Sequence, residues 1–283
     1  MSDKVSIISS RQNPKVKAIF ALSERKTREE TRLFRFDGVK LCAEAILCGL
    51  DIEGIYLRES SAGRVRERLR AELDTLSEDK IIYLSDAVFD KISEEKSPEG
   101  IITVAKHIDK FRKIGKIEKE DIFKEESLLL LESLRDPGNL GTVIRSAAAL
   151  GVKKIVMSSD CADIYNPKTI RAAMGGLFRM DIVRIERELM ADYIAELRAA
   201  GRRVFAAALD ERALCLGDFE VLRGDCFVIG NEGHGLSAEV ISACDSSVII
   251  PMQAGTESLN AASASVILMW EIYKANKDNY RGV

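Results

Sequence analysis

The chain has few of the residues that build metal sites, disulfides or membrane spans. Of its 283 residues only two are histidines, and its six cysteines show no Cys-x-x-Cys spacing. This composition argues against a zinc protein and favours reduced, buried thiols. No apolar run reaches about eighteen residues, and the start does not resemble a signal peptide. We therefore expect a soluble, cytoplasmic protein with no metal and no membrane contact.

The chain also lacks a strong net charge, but its cations are concentrated at one end. The formal net charge is -3, yet residues 1–40 hold ten Lys or Arg against five acidic residues. Phosphate recognition needs a local basic surface rather than a basic chain. We therefore assign nucleic-acid contacts to Arg11, Lys15 and Lys17, with a solvated helical face as the alternative.

One internal stretch is dominated by charge and divides the chain. Residues 107–126 contain only scattered apolar side chains, which is typical of a linker. We predict domains at residues 1–107 and 127–283, joined by a linker at 108–126. With 46% hydrophobic content, 283 residues are enough to bury two cores.

Beyond the linker, short apolar runs alternate with helical patterns. Such alternation predicts a doubly wound α/β domain. The candidate strands are Ser127 to Glu132, Lys154 to Met157, Asp181 to Ile185, Arg203 to Ala208, Cys226 to Ile229 and Val248 to Pro251.

A first candidate site follows the strand that ends at Glu132. A Pro-Gly turn leads into an Ala-rich helix that starts near Asn139. Asn139, Thr142 and Arg145 then lie on neighbouring faces, three residues apart. Arg145 is unusual among apolar residues and needs a partner or an open cleft. A snorkelling side chain or a salt bridge is the alternative.

A second candidate site is the glycine-rich loop after the strand Cys226 to Ile229. Its glycines permit close backbone approach to a ligand. Gly233-x-Gly235-x-x-Ala238 also mimics a dinucleotide fingerprint, so a nicotinamide oxidoreductase stays an alternative. That match is weak, because no acidic residue follows at the expected spacing of about twenty. The alternative role for Glu232 is to cap the next helix.

A third candidate site follows the last strand, which leaves its sheet at Pro251. We predict Ser258 as the N-cap of the final helix. The small residues Ala261, Ala262 and Ala264 would let a second backbone or subunit approach this helix closely.

Together the three segments resemble the motifs of the SpoU family of RNA ribose 2′-O-methyltransferases, which are knotted S-adenosylmethionine enzymes. The resemblance covers about residues 127–275, and its motifs agree in order, spacing and identity. The N-terminal third is similar to the family's substrate-binding domain, notably at Phe34-Arg35-Phe36-Asp37-Gly38, where Asp37 replaces a more usual Glu. The matching motifs are Asp136-Pro137-x-Asn139-x-Gly141-x-x-x-Arg145, Gly230-Asn231-Glu232-x-x-Gly235-Leu236, and Ile250-Pro251-Met252 with Ser258-Leu259-Asn260.

The resemblance implies a small α/β RNA-binding domain followed by a parallel-sheet domain with a deep trefoil knot. It also implies roles for individual residues. Arg145 would orient the 2′-oxygen or a phosphate, because a guanidinium is effectively never deprotonated; the general base stays open. The implied catalytic residues are Asn139, Arg145, Glu232, Ser258 and Asn260, and the implied donor-binding residues are Ala208, Leu209, Ile229, Gly230, Asn231, Gly233, Ile250, Met252 and Leu259.

The expected activity is therefore methyl transfer from S-adenosylmethionine to a ribose 2′-hydroxyl. Ribosomal RNA is the expected substrate, with transfer RNA as the alternative. A catalytically silent RNA-binding paralogue is a further alternative, although the polar motif residues are all present. The resemblance and the small-residue helix face also predict a homodimer formed through the catalytic domain.

Overall fold

A computed structural model describes residues 6–108, 111–123, 127–210, 212–253 and 258–276. The chain divides into two compact units. The N-terminal unit comprises Met1–Ile108 with Tyr165–Phe178, and the C-terminal unit comprises Asp109–Ile164 with Arg179–Val283. Residues 165–178 thus belong to the N-terminal unit, although they interrupt the second unit in sequence.

Strands and helices alternate through the described residues. The strands are β1 (Ile7–Ile8), β2 (Leu33–Asp37), β3 (Ile52–Arg58), β4 (Ile81–Leu84), β5 (Ile101–Lys106), β6 (Arg112–Ile114), β7 (Leu128–Leu131), β8 (Lys154–Ser158), β9 (Asp181–Ile185), β10 (Val204–Ala207), β11 (Leu214–Cys215), β12 (Cys226–Ile229) and β13 (Ser246–Ile249). The helices are α1 (Pro14–Ala21), α2 (Arg25–Thr31), α3 (Val39–Leu47), α4 (Ala62–Arg68), α5 (Arg70–Leu73), α6 (Asp86–Ile92), α7 (Pro137–Ala149), α8 (Pro167–Ala173), α9 (Gly176–Arg179), α10 (Met190–Ala199), α11 (Ala238–Ala243) and α12 (Ala261–Ala275).

The N-terminal unit is built on a five-stranded mixed sheet. Its strand order is β1-β4-β3-β5-β2, with β5 antiparallel to both of its neighbours. Helices α1 and α6 contribute apolar residues to a core that includes Tyr56 and Val104 on the sheet. Tyr165 attaches the inserted segment, since its ring lies 4.6 Å from Phe34 and stacks 4.0 Å from His107.

The C-terminal unit contains an eight-stranded, all-parallel sheet in the order β11-β13-β10-β12-β7-β8-β9-β6. The side chains of β7, β8 and β12 are buried throughout, as expected when helices cover both faces of a parallel sheet. The chain runs from β7 to β8 and β9 on one side, while β12 and β10 lie on the other. The β7–β12 boundary is therefore a topological switch point, where open α/β sheets bind ligands at the carboxyl ends of the strands.

The predicted α/β fold with a parallel sheet is confirmed, and two local features differ from expectation. Part of the predicted linker, Arg112–Ile114, is an edge strand paired with β9. Its charged side chains suit a sheet edge, where charge blocks further pairing, but they hid the strand from an apolar pattern. Asn260, rather than Ser258, caps α12, because its Oδ1 accepts a hydrogen bond from Ala262 N at 2.9 Å.

Candidate active site

Three polar side chains from the three sequence motifs meet in one chain of hydrogen bonds. Asp136 caps α7 and accepts a bond from Asn139 N at 2.8 Å, so Asn139 lies in the first turn of the helix. Asn139 Nδ2 donates to Glu232 Oε1 at 2.8 Å, and Asn260 Nδ2 donates to Asn139 Oδ1 at 3.1 Å. The structure therefore joins residues that are 93 and 121 positions apart in sequence.

Arg145 lies further along α7 and is exposed. Within the described ranges, its guanidinium has no hydrogen-bond or ion-pair partner, so neither a salt bridge nor burial accounts for it there. Thr142 lies one turn earlier and donates its hydroxyl to Gly138 O at 2.9 Å. The charge of Arg145 is therefore open to an anionic ligand.

The loop after β12 is held by the side chain of Asn231. Asn231 Oδ1 accepts bonds from Gly233 N at 2.8 Å and His234 N at 3.1 Å, and its Nδ2 donates to Ser133 O at 2.9 Å. The main chains of Asn231 and Gly235 also exchange two hydrogen bonds, both of 3.0 Å. Asn231 therefore shapes this loop with its side chain and links it to the end of β7.

Gly230 is required by the close return of that loop. A Cβ at this position would lie 2.4 Å from Gly235 C, 2.5 Å from Gly235 O and 2.6 Å from Leu236 N. All three atoms are backbone, so a side chain would push the loop away from β12. Gly233 is different, since a Cβ there would meet only Asn231 Oδ1, at 3.5 Å.

Glu132 supports the same loop from beneath, a role that sequence reasoning did not assign. Its carboxylate is 2% exposed and accepts bonds from Ser237 N at 2.8 Å and Ser237 Oγ at 2.7 Å. Ser237 in turn caps α11. The alternative that Glu232 caps this helix is therefore wrong, and Glu232 instead accepts from Asn139. The sequence signal for Glu132 was a carboxylate directly after the apolar run Leu128–Leu131.

Ser133 adopts an uncommon backbone conformation at the end of β7, with φ of +55°. Its amide donates to Ser158 Oγ at 2.8 Å and its hydroxyl donates to Asp160 Oδ2 at 2.6 Å. Burial alone raises the pKa of Asp160, but hydrogen bonds from Ser133, Ser158 and Arg135 outweigh it and lower that pKa. This network fixes the carbonyl that receives the Asn231 amide.

An apolar pocket of about 130 Å³ lies at the carboxyl ends of β10 and β13. Strand β10 pairs with both β12 and β13, so the loops that follow these strands share one edge of the sheet. Of the predicted site residues, Ile229, Gly230, Asn231 and Gly233 belong to the neighbouring β12 strand end and loop and do not line it. The predicted residues that line the pocket are Ala208, Leu209, Ile250, Met252, Ser258 and Leu259, and those not predicted are Ala207, Val248, Ile249 and Ala264.

The predicted nucleic-acid contacts lie at the start of the N-terminal unit. Lys15 and Lys17 are exposed on α1, whose N-cap Asn13 accepts from Lys15 N at 2.9 Å. Arg11 is exposed and makes one long contact, from its guanidinium to Ala87 O at 3.5 Å. These three cations therefore face solvent.

Two classes of site find no support in the part of the chain that the structure describes. No group of three or more His, Cys, Asp or Glu there is arranged to hold a metal ion. No helix among the same residues is both long enough and apolar enough to cross a membrane.

Two segments of the chain match known protein families. Residues 126–270 match the SpoU rRNA Methylase family. Residues 13–103 match the MRM3-like substrate binding domain. These ranges fall separately on the two parts expected for catalysis and for RNA selection.

Similar proteins of comparable length act on ribosomal RNA. The chain is 30% identical to the 23S rRNA (guanosine(2553)-2′-O)-methyltransferase RlmP of Bacillus subtilis, over 94% of this chain and 98% of that protein. It is 31% identical to the 23S rRNA (uridine(2479)-2′-O)-methyltransferase of Streptomyces viridochromogenes, over 88% of this chain and 85% of that protein. The crystal structure of the SpoU methyltransferase AviRb from the same organism, in complex with AdoMet, superposes with a TM-score of 0.78 at 26% identity, covering 94% of this chain and 99% of that one.

Proposed function

This chain belongs to the SpoU rRNA Methylase family, and from that premise we propose that its substrate is one ribose 2′-hydroxyl of large-subunit ribosomal RNA. The enzyme is an S-adenosylmethionine-dependent RNA 2′-O-methyltransferase. The observation that carries the proposal is the hydrogen-bonded set Asn139, Glu232 and Asn260, at the same sheet edge as an apolar pocket.

The pocket fits the methyl donor in chemical character. Its lining is apolar, which suits an adenine ring, and the strand ends beside it offer main-chain donors and acceptors. Leu209, Ile250 and Leu259 would hold the donor from the pocket side, and the loop at Gly230 from the β12 side. When bound, S-adenosylmethionine supplies an electrophilic methyl group. We further propose that the C-terminal sheet is knotted, as the family resemblance implies.

The polar residues act on the RNA side by positioning. Asn139 is fixed on both sides, by Glu232 and by Asn260, so its amide is pre-organised before substrate arrives. Arg145 carries an open positive charge that can hold the 2′-oxygen or an adjacent phosphate and stabilise developing negative charge. A guanidinium has hydrogen-bond donors and no acceptor, so Arg145 serves as a donor and not as the base.

The N-terminal unit is proposed to select the RNA. Its match to a substrate-binding family and the exposed Arg11, Lys15 and Lys17 support this role. We propose residues 1–107 as the RNA-binding domain and residues 127–283 as the methyltransferase domain. The enzyme would work in the cytoplasm, where ribosomal RNA is available.

We also propose a homodimer, although the small-residue face of α12 does not support it. Ala261 and Ala262 are buried within the chain, where α12 packs on α7, so they are not free for a second subunit. Trp270 on the same helix is 45% exposed and stacks on Tyr273 with 5.5 Å between ring centres. A partly exposed aromatic pair of this kind suits a subunit contact.

A map of ribose methylation at nucleotide resolution tests the proposed function. Ribosomal and transfer RNA from cells with and without the protein would be compared, and purified enzyme would then be given the unmodified RNA with labelled donor. One position lost from large-subunit RNA and restored in vitro is the expected result. A position lost from transfer RNA instead would favour the alternative substrate. No lost position and no transfer would indicate a silent paralogue.

A further inference from the structure

The N-terminal unit contains a pocket that the reaction described above does not use. It encloses about 480 Å³ between α1, α2 and the sheet. This volume falls in the range of about 300–1,000 Å³ that is usual for small-ligand sites. Its lining is largely apolar. Ile19 of α1 and Leu22, which follows that helix, line it together with Ile82 and Val104 of the sheet.

Tyr56 is a polar residue of the pocket lining, and among the described residues its hydroxyl is unpaired. The residue is 7% exposed and lines the pocket. Among the described residues its hydroxyl has no hydrogen-bond partner, so it is available to donate to or accept from a ligand atom in the pocket. The ring lies over Gly54, where a Cβ would come within 3.2 Å of the Tyr56 oxygen.

The rim of the pocket carries charges of both signs. Lys15 projects from α1, and its charge helps to lower the pKa of Asp79, which a hydrogen bond from Ser77 lowers most. Lys80 is on the opposite side and donates to Ile52 O at 2.6 Å. Glu53 and Asp79 complete the rim. Cations suit a phosphate, while carboxylates accept hydrogen bonds from the amino and imino groups of a base.

We propose that this pocket holds one unstacked nucleotide of the RNA, with its base on the apolar floor and its phosphate near Lys15. The inference rests on the proposed function, because it takes RNA as the substrate. A flat aromatic base matches a floor of Tyr56 and aliphatic side chains, and single-stranded bases are commonly read by such stacking. Exposed Arg11 and Lys17 extend the positive charge around Lys15 for the flanking phosphates. The N-terminal unit would thus recognise an unpaired position in the RNA as well as its backbone.

Filling the pocket tests the proposal. Ala18 is exposed on α1 and lines the pocket, so Ala18→Phe would occupy it without entering the core. Ala71→Phe is the matched control, because Ala71 is an exposed helical alanine of the same unit that does not line the pocket. RNA affinity would be measured by filter binding to unmodified ribosomal RNA, and donor affinity by calorimetry.

We expect Ala18→Phe to weaken RNA binding about tenfold, in line with the loss of one stacked base, while donor affinity stays unchanged. Tyr56→Phe keeps the ring and should weaken RNA binding about fivefold through the lost hydroxyl bond. Unchanged RNA affinity in both variants, relative to Ala71→Phe, would overturn the proposal. Because binding is measured apart from methyl transfer, failure of the wild-type enzyme to methylate RNA would count against the proposed function alone.

Discussion

Replacing Gly230 by alanine should weaken donor binding, lower the melting temperature or do both, whereas the same change at Gly233 should do neither. At position 230 the new Cβ lies within 2.6 Å of three backbone atoms of Gly235 and Leu236. A backbone cannot rotate away as a side-chain tip can, so the returning loop must move. At position 233 the new Cβ makes one ordinary contact, at 3.5 Å. Each variant therefore adds one methyl group to the same loop, and the two differ only in the space available to that methyl group.

The expected size follows from the cost of overpacking, which is about 1–3 kcal/mol for a site that must shift to admit extra atoms. Either the fold or the bound complex bears this cost. If it falls on donor binding, affinity decreases by about fivefold to a hundredfold or more. If it falls on folding, the melting temperature of a domain of this size decreases by about 2–4 °C for each kcal/mol.

Calorimetric titration with S-adenosylmethionine, together with thermal unfolding, measures both quantities for each variant. Gly230→Ala should lose donor affinity, melting temperature or both, and Gly233→Ala should stay within about twofold of wild type, which is about 0.4 kcal/mol. Wild-type behaviour of Gly230→Ala would refute the reasoning, as would a larger defect in Gly233→Ala. Either result would mean that the loop adapts freely or that its glycines serve the ligand directly.

Four other outcomes are expected. Arg145→Ala should keep donor affinity but slow single-turnover methyl transfer by about a hundredfold, as for other lost charge-stabilising donors; equal loss of both would contradict its place on the RNA side. Changing Arg11, Lys15 and Lys17 together to Glu should reduce the magnitude of the slope of log affinity against log salt by about two to three, and an unchanged slope would remove them from the RNA contact. Asp160→Asn should lower the free energy of unfolding by about 1 kcal/mol at neutral pH. This difference should shrink as the pH falls below the unfolded pKa of 3.8, because a carboxyl whose pKa is lowered in the folded state loses its stabilising effect as it becomes protonated. The same difference at neutral pH and well below the folded pKa would contradict this prediction. Light scattering should report a mass near twice 31.3 kDa, and a strict monomer would exclude the dimer.

The parallel sheet and the meeting of the motifs were predictable from sequence because both depend on strongly patterned segments. Buried parallel strands are continuous apolar runs, and Asp181–Ile185 and Cys226–Ile229 were predicted with the bounds that the structure shows. Parallel strands also place their carboxyl ends on one edge, so the polar residues just after them converge. Asn139, Glu232 and Asn260 did so, as the family resemblance implied.

The remaining features depend on contacts that no local pattern encodes. Strand β6 is charged and short, and only its pairing with β9 makes it a strand. Ser258 and Asn260 are equally good caps by residue type, so the choice between them was made by packing. The support from Glu132 joins residues 105 positions apart, which is beyond the reach of periodicity. The need for glycine at position 230 arises from the return of the loop at Gly235 and Leu236, a conformation that the apolar pattern does not encode.

The strand order of the C-terminal sheet also determines when this enzyme can first become active during its synthesis. Strand β7 emerges early, yet its neighbour β12 follows only at residues 226–229, and β13 ends at residue 249. In a nascent chain that stops before β12, the edge of β7 that pairs with β12 has no neighbouring strand. Unpaired strand edges of this kind are prone to aggregate. The sheet of the N-terminal unit, by contrast, is complete by residue 106. The growing chain therefore presents its basic helix α1 to RNA well before it can hold a methyl donor.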